Sequence, residues 1–176
     1  GRILTLASWI ERLPFETIYS QPTLLSLQGV VYVTKGDIAK AVEFLTLAEE
    51  KQRASQNQTE LVITLMRRAE AYRRLGQFSY AFIDAEEIIE LTKEEQSSNL
   101  RNTYAEALRI KGLLYFGQGQ LTKALSWLND ALHVYRSAAL TENIPVLETE
   151  LGVVYRRLGQ PDVAARYYAS ALHAWK

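Results

Sequence analysis

The chain of 176 residues contains no cysteine. Disulfide frameworks, thiolate zinc sites and cysteine nucleophiles are excluded together. Charge of one sign is also missing, because 20 basic and 20 acidic side chains balance to a net charge of zero. A generic nucleic-acid or membrane-surface binder carries an excess of Lys and Arg, so no direct nucleic-acid binding and no membrane association is expected. No stretch approaches the ~18 consecutive apolar residues of a membrane span. No signal-peptide pattern opens the chain, and the expected location is cytoplasmic. Methionine occurs once, as Met66; the chain starts without an initiator and reads as a piece of something longer. Glycine and proline are scarce, with nine and four copies. What is plentiful is 48% hydrophobic against 23% charged residues, the balance of a folded protein.

Between the few glycines and prolines lie long segments with apolar residues at helical spacing. Leu61, Leu65, Ala69, Tyr72 and Leu75 recur every three or four residues and share one helical stripe. Alternating β-branched runs are absent and good helix formers dominate. The fold is expected to be all-α.

Four segments align without gaps: LQGVVYVTKGDIAKAVEFLTLA, MRRAEAYRRLGQFSYAFIDAEEI, RIKGLLYFGQGQLTKALSWLNDA and ETELGVVYRRLGQPDVAARYYASA. Tyr32, Tyr72, Tyr115 and Tyr155 correspond, at separations of 40, 43 and 40 residues. Four residues after each comes Gly36, Gly76, Gly119 or Gly159, and nine after comes Ala41, Ala81, Ala124 or Ala164. Three residues before stands Gly29, Ala69, Gly112 or Gly152. The early small residue lets two helices approach closely, with the tyrosine ring beside it. The later glycine ends the first helix, where a left-handed residue costs least. Pro22 and Pro145 open the first helix of repeats one and four, and Pro161 opens a second helix.

This pattern, with Leu45, Leu128 or Tyr168 as a large apolar residue and Ala48, Ala131 or Ala171 after it, resembles the tetratricopeptide repeat. Repeat two departs from it, with Ala85 and Ile88 at those positions. The resemblance implies a right-handed superhelix, a solenoid of antiparallel helix pairs with about nine helices. Residues 1–21 are expected to form a lead-in helix packed on the first repeat. The hairpins follow at about 22–58, 59–99, 100–142 and 143–176, each longer than the usual ~34 residues. Polar turns are expected at Arg53–Gln58, Glu95–Asn99 and Ser137–Asn143. Leu4, Leu6, Trp9, Ile10 and Leu13 form the apolar face of the lead-in helix, which Pro14 terminates. This W-I-E-R-L-P segment and the first repeat also resemble the sensor domain of MalT-like (LuxR-family) bacterial transcriptional regulators. Neither a phosphate-binding loop nor a helix-turn-helix is apparent here.

His133 and His173 sit in matching phrases 40 residues apart, so repeat position explains them and neither a metal site nor a cofactor is expected. Asp84, Glu86, Glu87, Glu90, Glu94 and Glu95 make the second helix of repeat two acidic, the expected character of a solvated outer face. No Ser-His-Asp grouping has local support, so the protein is not expected to be an enzyme.

The tetratricopeptide resemblance implies that the first helix of each repeat lines a concave groove. The implied positions are Thr23, Ser26, Val30, Val33 and Thr34, then Ile63, Met66, Glu70, Arg73 and Arg74. Glu106, Arg109, Leu113, Phe116 and Gly117 follow in repeat three, and Val146, Thr149, Val153, Arg156 and Arg157 in repeat four. Arginine suits a carboxylate or phosphate, with apolar Met66 and Phe116 beside it. Met66, Glu70, Arg73, Arg74, Arg109, Phe116, Arg156 and Arg157 are therefore the candidate binding residues. The Lys and Asn of the chaperone-tail carboxylate clamp are replaced by Ser26, Val30, Arg67, Glu106 and Ile110, which disfavours that ligand.

The expected function is non-catalytic recognition of a peptide, protein or small effector, as the sensor part of a larger transcriptional regulator. The alternative is a constitutive protein–protein scaffold. Ala164, Tyr168, Leu172 and Trp175 form an apolar stripe on the last helix, so self-association through that end, or further repeats, is expected.

Overall fold

The computed structural model describes Thr5 and residues 8–10, 12–95 and 97–174. Helix dominates throughout, and no strand occurs among the described residues. The chain divides into two compact units, residues 1–84 and 85–176. The first holds α1 (Phe15–Ser20), α2 (Pro22–Lys35), α3 (Ile38–Ala54), α4 (Gln58–Arg74) and the opening half of α5 (Phe78–Thr92). The second holds the rest of α5, then α6 (Ser98–Gly117), α7 (Leu121–Ser137), α8 (Ile144–Arg157) and α9 (Pro161–Ala174). A 3₁₀ turn, Thr141–Asn143, leads into α8.

Each hairpin turn is closed by the same backbone device. Gly36, Gly76, Gly119 and Gly159 adopt φ between 72° and 82°, a region that strains any residue with a Cβ. The residue after each glycine donates its N–H to the carbonyl of the repeat tyrosine: Asp37 to Tyr32 at 3.0 Å, Gln77 to Tyr72 at 2.9 Å, Gln120 to Tyr115 at 2.9 Å and Gln160 to Tyr155 at 3.0 Å. This is the Schellman closure, which satisfies carbonyls that the helix end would otherwise orphan. Asp37 then caps α3 by accepting from the Lys40 N–H at 3.1 Å. Two turns between hairpins reuse the closure without glycine. Gln56 and Ala139 both have φ 56°, and Asn57 and Leu140 donate to the Gln52 and Tyr135 carbonyls.

The small residue before each tyrosine is dictated by packing. A Cβ on Gly29 would lie 2.6 Å from Leu45 Cγ, and one on Gly112 would lie 2.7 Å from Leu128 Cγ. On Gly152 it would meet the Tyr168 ring at 2.5 Å. The carbonyls of Ala41 and Ala124 approach the same sites at 3.3 and 3.2 Å, so the second helix crosses almost on the backbone of the first. Repeat two carries alanine at both positions, Ala69 and Ala85, and both are fully buried.

The core of the first unit gathers Ile10, Ile18, Leu25, Val31 and Ala48. That of the second gathers Leu108, Leu128, Tyr135, Leu147, Leu151 and Val154. The amino-terminal segment differs from the single lead-in helix expected over residues 1–21. Residues 8–10 are helical, residues 12 and 13 form a turn, and Pro14 stands at the N-cap of a separate helix, α1. Ile10 is buried, while Trp9 and Leu13 are exposed. Leu4, Leu6 and Trp175 lie outside the described residues.

Candidate interaction surfaces

In the first unit, α4 ends in the expected basic cluster. Arg73 donates twice to Glu70, Nε to Oε2 and Nη2 to Oε1, both at 2.8 Å. Arg74 Nε reaches the same carboxylate at 2.9 Å. The spacings are i,i+3 and i,i+4 on one helix, where such pairs are neighbours by geometry. Met66 lies half-buried one turn earlier. One glutamate is thus bonded by two arginines at the negative pole of the helix.

Beside it, Ser26 on α2 accepts from Thr64 Oγ1 and from Arg67 Nη1, both at 2.8 Å. Burial holds the Arg67 guanidinium below its ordinary pKa, and Glu60 partly offsets this. Two of the groove positions, Thr23 and Ser26, therefore make helix-to-helix bonds, Thr23 with Glu60 and Ser26 with Thr64 and Arg67.

Deeper in the same unit lies a buried ionic cluster. Arg68 donates to both Asp84 oxygens at 2.9 and 2.8 Å and to Glu49 at 3.2 Å. Arg53 also bonds Glu49. Burial works against the charge on Arg68, but Asp84 and then Glu49 outweigh it and raise the pKa. Asp84 is buried, so it does not belong to the solvated acidic face expected for α5. It stands twelve residues after Tyr72, where the register of the hairpin aims it at Arg68. In the third repeat the same two positions hold Lys111 and Trp127, with the ammonium 4.0 Å from the ring centroid. Glu86, Glu90, Glu94 and Glu95 are exposed as expected, with Glu86 bonded to Lys111 and Glu90 to Lys93.

In the second unit, Arg109 is held between two carboxylates. Its Nε donates to Glu106 at 3.0 Å, and its Nη1 donates to Glu150 on α8. The buried Tyr135 hydroxyl donates to Glu106 from α7. Burial opposes the charge of Arg109, yet Glu150 and Glu106 raise its pKa. For Tyr135, burial first and Glu106 second disfavour the phenolate and push the pKa up. Arg109 thus links α6 to α8 with its charge opposed on both sides, and Glu106 brings α7 into the same network through Tyr135.

The end of α8 is different. Arg156 and Arg157 are exposed, and neither makes an ion pair with a carboxylate among the described residues. The Arg157 guanidinium lies over the half-buried Phe116 ring, 5.0 Å from its centroid. A cation on an aromatic face is held in place while its outward N–H groups remain open. Of the eight candidate residues, Met66, Glu70, Arg73 and Arg74 come together in the first unit. Phe116 and Arg157 meet in the second, with Arg156 adjacent in sequence, and Arg109 is engaged in its own ionic network.

Glu150, Glu49 and Tyr135 were missed as partners. A signal existed for one of them: Arg109 and Glu150 are 41 residues apart, as are Asn102 and Asn143, about one repeat. His133 and His173 are both exposed. No group of three or more His, Asp or Glu among the described residues is placed to hold a metal. Leu172 is 61% exposed, whereas Leu132, its counterpart one repeat earlier, is 4% exposed within the core that α8 shares. No described helix is long and apolar enough to cross a membrane.

Residues 103–176 match the tetratricopeptide repeat family model. The chain is 25% identical over 149 residues to Protein KINESIN LIGHT CHAIN-RELATED 3 of Arabidopsis thaliana, a match covering 83% of this chain and 23% of the relative. The chain thus spans about a quarter of that protein's length. Among solved structures it is similar to BtubC (BKLC) from P. vanneervenii, with TM-score 0.72 and 20% identity over 86% of this chain and 62% of the other. It is also similar to the nearly identical TPR-like repeats of a Podosopora anserina protein assigned as a kinesin light chain. There the TM-score is 0.66 and the identity 17%, over 96% of this chain and 81% of the other. The four tyrosine–glycine turns and the close-packed small residues agree with these likenesses in fold, and residues 103–176 carry the match to the tetratricopeptide repeat.

Proposed function

We propose that this domain is a non-catalytic protein-interaction module, a scaffold that holds a peptide or protein partner through an acidic segment. The observation that carries this is the pair Arg156 and Arg157 at the end of α8. Both are exposed without a carboxylate partner, and Phe116 orders one of them. A partner carboxylate completes the guanidinium fork, and an apolar neighbour covers the ring. The likeness to kinesin light chains, whose repeats are interaction elements rather than catalytic ones, supports the same class.

The test uses a fluorescein-labelled peptide carrying alternating Glu and Leu, followed by anisotropy. Arg156→Glu combined with Arg157→Glu is expected to weaken binding at least tenfold, and added salt is expected to weaken the wild type. Unchanged affinity in the double variant overturns the reading.

A place in a bacterial transcriptional regulator is a narrower reading, and the likenesses above lend it no support. It requires a nucleotide-binding and a DNA-binding segment in the parent reading frame, and their absence there excludes it. Self-association has an observation of its own in the exposed Leu172. Leu172→Lys is expected to abolish any concentration-dependent association in sedimentation velocity, and a strictly monomeric wild type at high concentration excludes it.

A further inference from the structure

A surface unrelated to the arginines lies between α1 and α3. These helices border an open cleft of ≈ 570 Å³. Phe15, Tyr19, Phe44 and Leu47 give it an apolar lining, and Glu43 and Glu50 stand on its rim. Phe15 is 61% exposed and Tyr19 is 40% exposed. Their rings sit 4.9 Å apart as an i,i+4 pair, so two aromatic side chains present one continuous apolar face to solvent. Nothing in the repeat pattern requires aromatic residues there.

The charge on the rim is uncommitted. Glu43 and Glu50 are exposed and have no cation in ion-pair contact among the described residues. Other exposed acids do have one, as Glu86 with Lys111 and Glu90 with Lys93 show. The two glutamates are seven residues apart on α3, two helical turns or about 10 Å along one face. Lys51 is already placed over the Tyr19 ring, 5.6 Å from its centroid.

We infer that this cleft docks a basic, apolar-anchored peptide segment of a partner protein. Apolar side chains enter between Phe15, Tyr19 and Leu47, and two cations about two helical turns apart meet Glu43 and Glu50. The site takes the charge opposite to that recognised by Arg156 and Arg157, so it stands or falls independently of them.

The probe is a labelled amphipathic helical peptide with leucines on one face and two lysines seven residues apart. Its control carries glutamate in place of each lysine. The lysine peptide is expected to bind the full chain at least tenfold more tightly than its control. Glu43→Lys with Glu50→Lys is expected to invert that preference, while Phe15→Ala weakens both peptides. Helical content checked by circular dichroism confirms that these surface variants remain folded. Equal affinity for the two peptides, no binding of either, or an uninverted preference in the charge-reversed variant overturns the inference. A wild-type dimer that Glu43→Lys dissolves also overturns it, because the occupant is then a second copy.

Discussion

Arg68 and Asp84 face each other with two parallel hydrogen bonds, Nε to Oδ2 at 2.9 Å and Nη2 to Oδ1 at 2.8 Å. Glu49 closes the third side of the guanidinium at 3.2 Å. A buried pair of this kind is costly to break, because the surviving Arg68 loses both bonds of the fork and keeps only the longer contact with Glu49. Asp84→Ala is therefore expected to destabilise by about 3 kcal/mol, read as a shift in the urea midpoint. Arg68→Met combined with Asp84→Leu is expected to cost much less than Asp84→Ala alone. A double variant as damaged as the single one contradicts this account.

Tyr135 ties alkaline stability to one bond. Its pKa is raised in the folded chain, first by burial and then by Glu106, so folding favours the neutral phenol. The stabilisation is fully present below the unfolded value near 10 and is lost as pH rises above it. Urea midpoints at pH 8 and pH 10.5 are expected to fall further for the wild type than for Tyr135→Phe. At pH 8 the variant is expected to be less stable by about 2 kcal/mol, since it deletes a hydrogen bond to a charged group. Parallel pH profiles for the two proteins would exclude a role for this tyrosine.

Gly112 and Leu128 occupy one space. Gly112→Ala places a Cβ 2.7 Å from Leu128 Cγ and 3.2 Å from the Ala124 carbonyl, and overpacking of this kind costs about 1–3 kcal/mol. Leu128→Ala alone leaves a cavity worth about 2–5 kcal/mol. Together they reproduce the alanine pair of the second repeat. The double variant is expected to lose less than the sum of the singles, which thermal melts measure directly. Strict additivity would show that the two positions do not couple.

Gln52 is 1% exposed, and neither atom of its amide has a hydrogen-bond partner in the described structure. The matching positions hold Thr92, bonded to the Ile88 carbonyl, and Tyr135, bonded to Glu106. Gln52→Met keeps the shape and removes the unsatisfied groups, so it is expected to stabilise by about 1 kcal/mol and to raise Tm. A lowered Tm counts against this.

The all-helical hairpins were legible because their requirements are local. Gly36, Gly76, Gly119 and Gly159 are needed where φ is positive, and Gly29, Gly112 and Gly152 where a side chain already fills the Cβ site. Both demands leave a residue type in the sequence at a fixed offset from a tyrosine. The turns at Gln56 and Ala139 fall within the expected polar stretches Arg53–Gln58 and Ser137–Asn143, but their closure is made by residues that bear a Cβ and so leaves no glycine in the sequence. Helix α1 was absorbed into the lead-in helix for a related reason. Pro14 stands at the N-cap of that helix, whereas in the sequence it reads as the end of the preceding one, and sequence alone does not choose between the two uses.

The candidate site was legible as a set of charges but not as a set of partners. The sequence by itself determined the repeat, its turns and the positions where arginine recurs, because backbone conformation and close packing restrict residue identity. Only the tertiary structure decided which charges remain available. It buried Asp84 against Arg68, set Arg109 between Glu106 and Glu150, and left Arg156 and Arg157 open. Whether a charge is neutralised depends on the few ångströms between side chains that lie up to one repeat apart. That distance is set by how helices pack, which no single position in the sequence records.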